Sequence, residues 1–155
     1  MANWPQVSID TKKERDMCFV CGPKNPAGLK VSFDWDGKVA RAEFTPNRSH
    51  QGWAGVVHGG IISCLLDEAM SWAALFDGVS TVTARMETRF KRSLPINEPL
   101  IITGSLTRKT RKLVEAKAEV SLKDGTPVAD STATMFILGQ KVREGVRLTK
   151  LKGES

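Results

Sequence analysis

The chain has 155 residues, with 23 lysines and arginines against 17 aspartates and glutamates, for a formal net charge of +6. This length suits one domain with its own core, and 41% hydrophobic with 26% charged residues is the balance of a soluble globular protein. The odd cysteine count argues against a disulfide framework. No stretch reads as a membrane span or secretory leader, and three cysteines, an odd number, fit a reducing compartment, so a cytoplasmic location is expected. The positive charge admits anionic partners, but there is no tyrosine and the other aromatic residues are scattered. A nucleic-acid stacking face is therefore not expected.

Residues 1–28 are rich in proline, glycine and lysine and predict an arm and loop with at most a short helix at residues 10–17. From residue 29 to 155 the pattern is that of a single domain. Leu29, Val31 and Phe33 alternate, Asp36-Gly37 marks a turn, and Val39, Ala42 and Phe44 follow, which predicts a β-hairpin. A loop over residues 45–57 leads into a mostly apolar helix over residues 61–76. Its apolar positions cover most of the circumference, so burial nearly all round is expected. Asp77-Gly78 ends it.

Four strands are predicted next, at residues 80–92, 100–109, 113–123 and 127–138, with a tail at 140–155 that is either an edge strand or a frayed end. The fold class is α+β, a curved antiparallel sheet around one long central helix. One sheet covers only one side of such a helix, so a partner subunit is the expected cover for the other.

The chemistry concentrates where His50-Gln51-Gly52-Trp53-Ala54-Gly55-Val56-Val57-His58-Gly59-Gly60 runs into the helix. Unpaired backbone N–H groups at a glycine-lined helix start suit an oxygen that gains negative charge, which makes Gly59 and Gly60 candidate oxyanion donors; they could equally serve a tight loop-to-helix turn. Asp67 shares a helix face with Gly60, Ser63, Cys64, Ser71 and Ala74, a strip of small residues that another backbone or a ligand could approach. A buried acid in that place needs a partner or a task. Glu68 falls on a different face, beside Cys64 and Trp72, and reads first as a partnered or interface carboxylate. One carboxylate and one oxyanion hole would suffice for a thioester, whose thiolate leaving group needs no strong general acid.

Cys18 and Cys21 form a lone C-x-x-C pair, and only His50, His58 and Cys64 remain as further His or Cys ligands. They read as structural cysteines, and no metal is expected. The run Arg108-Lys109-Thr110-Arg111-Lys112, or Arg89, Lys91 and Arg92, could hold phosphates rather than only solvate a turn.

His58-Gly59-Gly60 followed by Ile61 to Ala69 resembles the helix motif of hot-dog-fold thioesterases of the PaaI-like and THEM4-like group, and Cys18-Phe19-Val20-Cys21-Gly22 with Asn25-Pro26 and Gly28-Leu29 is similar to the opening of many of its members. The resemblance implies a hot-dog fold and acyl-CoA hydrolysis in a homodimer or tetramer whose sites span two subunits, with no cofactor besides the coenzyme A of the substrate. It implies that the Gly59 N–H polarises the thioester carbonyl, that Asp67 acts as base or nucleophile, and that Thr83 holds the water. Family members often carry an Asn before the HGG; here that neighbourhood reads His50-Gln51-Gly52, so Gln51 or His50 takes its place. Gly60, His58, Glu68, Arg89 and Arg111 complete the expected substrate contacts, His58 as a positioning residue. The rivals are a non-catalytic acyl- or CoA-binding module, and a hot-dog hydratase or dehydratase, whose helix His–Asp or His–Glu pairing is not evident.

Overall fold

Helix α1, Gly59–Phe76, starts on a side-chain cap from His58 and stops at Asp77, after which Gly78 adopts φ 100°. A left-handed residue at this place favours glycine, which closes the helix without strain. Ile62, Leu65, Leu66, Ala69, Met70, Ala73 and Ala74 form its buried face. Ser63, Cys64, Asp67, Glu68, Ser71 and Trp72 are only half-buried. The expectation of burial all round is thus corrected: the sheet covers one face and leaves a half-open arc. By length and composition α1 would also pass as a membrane span, but its apolar face is the one packed on the sheet.

The computed structural model describes residues 9–139. The strands are β1 (Asp34–Trp35), β2 (Val39–Phe44), β3 (Ser80–Phe90), β4 (Leu100–Lys109), β5 (Leu113–Leu122) and β6 (Pro127–Gly139). They form one antiparallel sheet in the order β1-β2-β4-β5-β6-β3, against which α1 packs in the hot-dog arrangement. Asp36 turns the first hairpin by accepting from the Lys38 and Val39 N–H groups at 2.8 and 2.7 Å, while Gly37 takes φ 101°. Among the described residues of the predicted arm there is one 3-10 turn, Arg15–Met17; the tail expected at 140–155 lies outside the described residues.

The predicted first strand needs correction. Leu29, Val31 and Phe33 do point alternately into the core, but β1 itself is two residues long. The backbone before it pairs instead with the cysteine loop: the Leu29 N–H donates to the Phe19 carbonyl and the Val31 N–H to the Val20 carbonyl, both at 2.8 Å. Alternation reports which side chains are buried, and it does not identify the backbone partner.

The helix and sheet meet most closely at Gly104 of β4, where a Cβ would lie 2.5 Å from the Ala69 carbonyl oxygen. We expect Gly104→Ala to force the two layers apart and lower the stability read from the urea midpoint by about 1–3 kcal/mol, as overpacking does. An unchanged midpoint would show that the layers can slide.

Candidate active site at the start and middle of the central helix

The loop before α1 is held by its own side chains. Asn47 accepts from the Ser49 N–H at 2.8 Å, and His50 Nδ1 accepts from the Asn47 N–H at 2.9 Å with its ring 5.3 Å from Phe44. Gln51 Oε1 accepts from the Gly55 N–H at 3.0 Å. The His58 N–H donates to the His50 carbonyl at 2.9 Å, and Val57 donates to Leu94 at 2.8 Å. His50 and Gln51, expected as substrate contacts, are therefore engaged in shaping this loop, with His50 Nδ1 and Gln51 Oε1 already accepting bonds.

His58 Nδ1 accepts from the Gly60 N–H at 2.8 Å, which makes it the unprotonated ring nitrogen. A Cβ on Gly60 would sit 2.9 Å from that nitrogen, so glycine at 60 serves the cap. The His58 carbonyl accepts from the N–H groups of Ile61 and Ile62 at 3.0 and 3.3 Å. Of the orphan donors at this helix start, the Gly59 N–H is left without a partner among the described residues. The Gly60 N–H, expected as a second contact to substrate, donates to the His58 ring in this structure. A cleft of ≈ 390 Å³ lined by Gly52, Trp53, Val56, Val57, His58 and Gly59 opens at this point. Trp53 is 87% exposed beside it, and the ring of Phe90 lies 3.6 Å from the place of a Gly59 Cβ.

Two turns further on, Asp67 Oδ1 accepts from the Thr83 hydroxyl at 2.6 Å. The β3–β6 register shifts between Thr83 and Arg85, a bulge of the kind that re-aims a side chain beside a functional site. Gly59 and Asp67 are eight residues apart, about 12 Å along one helix, so they cannot act on the same carbonyl within one chain. We expect Thr83→Val to lower kcat about 10- to 100-fold, the worth of one hydrogen bond to a charged group, with Thr83→Ser restoring most of it. Equal rates for Thr83→Val and the parent would remove Thr83 from the site.

Glu68 turns away from this pair. Its Oε1 accepts from Trp72 Nε1 at 3.1 Å and meets Cys18 Sγ at 3.6 Å, and burial pushes its carboxyl up to about 7. Cys21 completes the group: the ligand atoms of Cys18, Cys21 and Glu68 all lie within 4.8 Å of one another. Sequence reasoning marked the two cysteines and, separately, Glu68 as a partnered carboxylate, but did not join them, because Glu68 lies on a helix 50 residues from Cys18.

The cationic residues differ in availability. Arg89 and Lys91 both hold Asp130, at 3.1 and 2.9 Å, and keep its carboxyl below the usual range. Lys109 pairs with Asp77 at 2.8 Å and Arg108 with Glu115 at 3.9 Å. Arg111, exposed in the β4–β5 turn, has no ion-pair partner among the described residues.

A family model described as the thioesterase superfamily matches residues 54–129, a span that holds Gly59, Asp67 and Thr83. Among solved structures, the thioesterase superfamily protein RHA08564 is 25% identical, with a TM-score of 0.75 over 87% of this chain and 70% of that one. A Streptococcus mutans UA159 protein bound to acetyl-CoA is 21% identical, with a TM-score of 0.68 over 71% of this chain and 90% of its own. The Escherichia coli PaaI protein of the phenylacetic acid degradation operon is 18% identical, with a TM-score of 0.68 over 72% and 82%. No curated protein matches the chain with significance.

Proposed function

This chain belongs to the thioesterase superfamily with the hot-dog fold, and from that premise we propose that it hydrolyses acyl-CoA thioesters at sites shared between two copies of itself. The observation that carries the reading is the Asp67–Thr83 pair, 2.6 Å apart on the half-open arc of α1, together with the unpartnered Gly59 N–H at the start of the same helix. Two such helices lying antiparallel with the two-fold axis near Ser63, midway between 59 and 67, bring Gly59 of one copy opposite Asp67 of the other. The small side chains of the arc, Ser63, Cys64 and Ser71, permit that approach. β3, 11 residues long and at the edge of the sheet among the described residues, could pair with its symmetry mate and continue the sheet.

In such a site the thioester carbonyl oxygen accepts from the Gly59 N–H, where the helix dipole and the unused donor favour developing negative charge. Thr83 fixes one oxygen of Asp67 by donating to it, and the other is free to take a proton from water or to attack the carbonyl carbon. The tetrahedral intermediate then expels coenzyme A as a thiolate, which free thiols titrating near 8.5 make a competent leaving group. The complex of the Streptococcus mutans neighbour with acetyl-CoA supports coenzyme A as the carrier.

The test is thiol release from a panel of short, long and aromatic acyl-CoAs by the purified chain. Release from at least one class is expected; tight binding with no release would make this an acyl-CoA-binding module instead. Arg111, exposed and without an ion-pair partner among the described residues, is the residue of its run chosen to test a phosphate contact. We expect Arg111→Ala to raise KM for acyl-CoA about 5- to 10-fold, a modest charge-assisted contact, and to leave KM for the matching acyl-pantetheine unchanged. Equal effects on both substrates would reject the phosphate contact.

A further inference from the structure

The loop around Cys18 to Gly22 and the outer face of α1 build a second chemical group that the hydrolytic site does not use. We propose that Cys18, Cys21 and Glu68 form a binding site for one zinc ion, with the fourth coordination position open to the adjoining cleft. The donors converge from two elements: Cys18 and Cys21 from a tight loop, Glu68 from the half-buried arc of the helix. Zinc bonds of about 2.3 Å to sulfur and about 2.1 Å to oxygen at tetrahedral angles require a sulfur-to-oxygen separation of about 3.6 Å. Cys18 Sγ and Glu68 Oε1 stand 3.6 Å apart.

The loop is also shaped to present sulfur. The Gly22 N–H donates to the Cys18 carbonyl at 2.8 Å, and a Cβ on Gly22 would fall 2.4 Å from the Cys18 nitrogen, so this turn closes only with glycine. A donor set of two sulfurs and one carboxylate oxygen favours zinc over magnesium or calcium.

A cleft of ≈ 410 Å³ borders all three donors and is walled by Trp72, Leu75 and Ser80 among others. Ser80 is buried, and its hydroxyl has no hydrogen-bond partner among the described residues. An ion here leaves room for a water or a small anionic or thiol ligand as the fourth donor. Binding forms two Zn–S bonds and one Zn–O bond, releases the thiol and carboxyl protons to solvent, and transfers no electron. It would also clamp the N-terminal loop to the helix next to Asp67. The proposal departs from the expectation of no metal drawn from cysteine spacing, because the third donor is a glutamate brought in by folding.

The experiment loads the full chain, purified under reducing conditions and stripped with a chelator, with zinc or cobalt(II) alone. One equivalent of zinc is expected to bind and to shield two of the three cysteines from a thiol reagent until a chelator is added. Cobalt(II) is expected to give sulfur-to-metal charge-transfer absorption with tetrahedral ligand-field bands. Cys18→Ser and Cys21→Ser should abolish that absorption, Glu68→Gln should weaken zinc binding at least about 10-fold, and Asp67→Asn and Cys64→Ser should leave it unchanged. Uptake well below one equivalent by the parent chain, or shielding of no thiol, would overturn the proposal whether or not the variants fold. So would unaltered affinity in a folded Glu68→Gln chain, or a Cys18–Cys21 disulfide as the only change seen in the parent.

Discussion

Replacing Asp67 by asparagine is expected to lower kcat/KM for acyl-CoA hydrolysis by about 10²- to 10⁴-fold, the usual worth of a general base. The substituted side chain keeps an amide oxygen to accept from the Thr83 hydroxyl, so the 2.6 Å contact and the local fold should survive. The unfolding temperature should therefore move by only a few degrees, in the range of ordinary point changes. The measurement is thiol release at saturating and limiting substrate. A rate within about threefold of the parent would show that another group activates the nucleophile, because even the smallest general-base contribution exceeds that factor.

Removal of the Gly59 N–H, the proposed oxyanion donor, should be nearly as costly, and position 59 allows it to be done cleanly. Gly59 is the first helical residue, where proline is favoured because the N–H it lacks has no intrahelical partner. His58 has φ −62° and ψ 132°, an extended conformation compatible with a following proline, and a Cβ at 59 meets only the Phe90 ring at 3.6 Å. Gly59→Pro is thus expected to fold and to lose about 10²- to 10³-fold in kcat. Mixing it with Asp67→Asn tests the shared site. A heterodimer of the two rebuilds one intact Gly59–Asp67 pair, so with random exchange about a quarter of the parent activity should return. No recovery after subunit exchange would place both groups' action within single chains and sink the two-copy site.

Much of this molecule could be read locally. The helix over residues 61–76 and the four following strands appear within a few residues of the observed Gly59–Phe76, β3, β4, β5 and β6. Their signals lie between near neighbours: apolar recurrence at 3.6 or 2 residues, and Gly37 and Gly78 where φ is positive. The spacing from Gly59 to Asp67 was legible for the same reason, since a continuous helix converts eight residues into a known length and direction.

The remaining assignments depend on groups distant in sequence. That Thr83 is the residue bonded to Asp67 rests on a bulge in β3, which no local pattern marks. That Gly59 rather than Gly60 keeps a free donor depends on which way the His58 ring turns. That Leu29 to Phe33 pair with the cysteine loop, and that Glu68 closes on Cys18, follow from how the arm packs across the sheet and helix. By itself the sequence determined the helix, the later strands and the stretch that holds the candidate site, because short-range sterics and periodicity are written in adjacent residues. Only the tertiary structure decided which donor meets which acceptor, because a contact of about 3 Å between distant segments is set by the packing of whole layers.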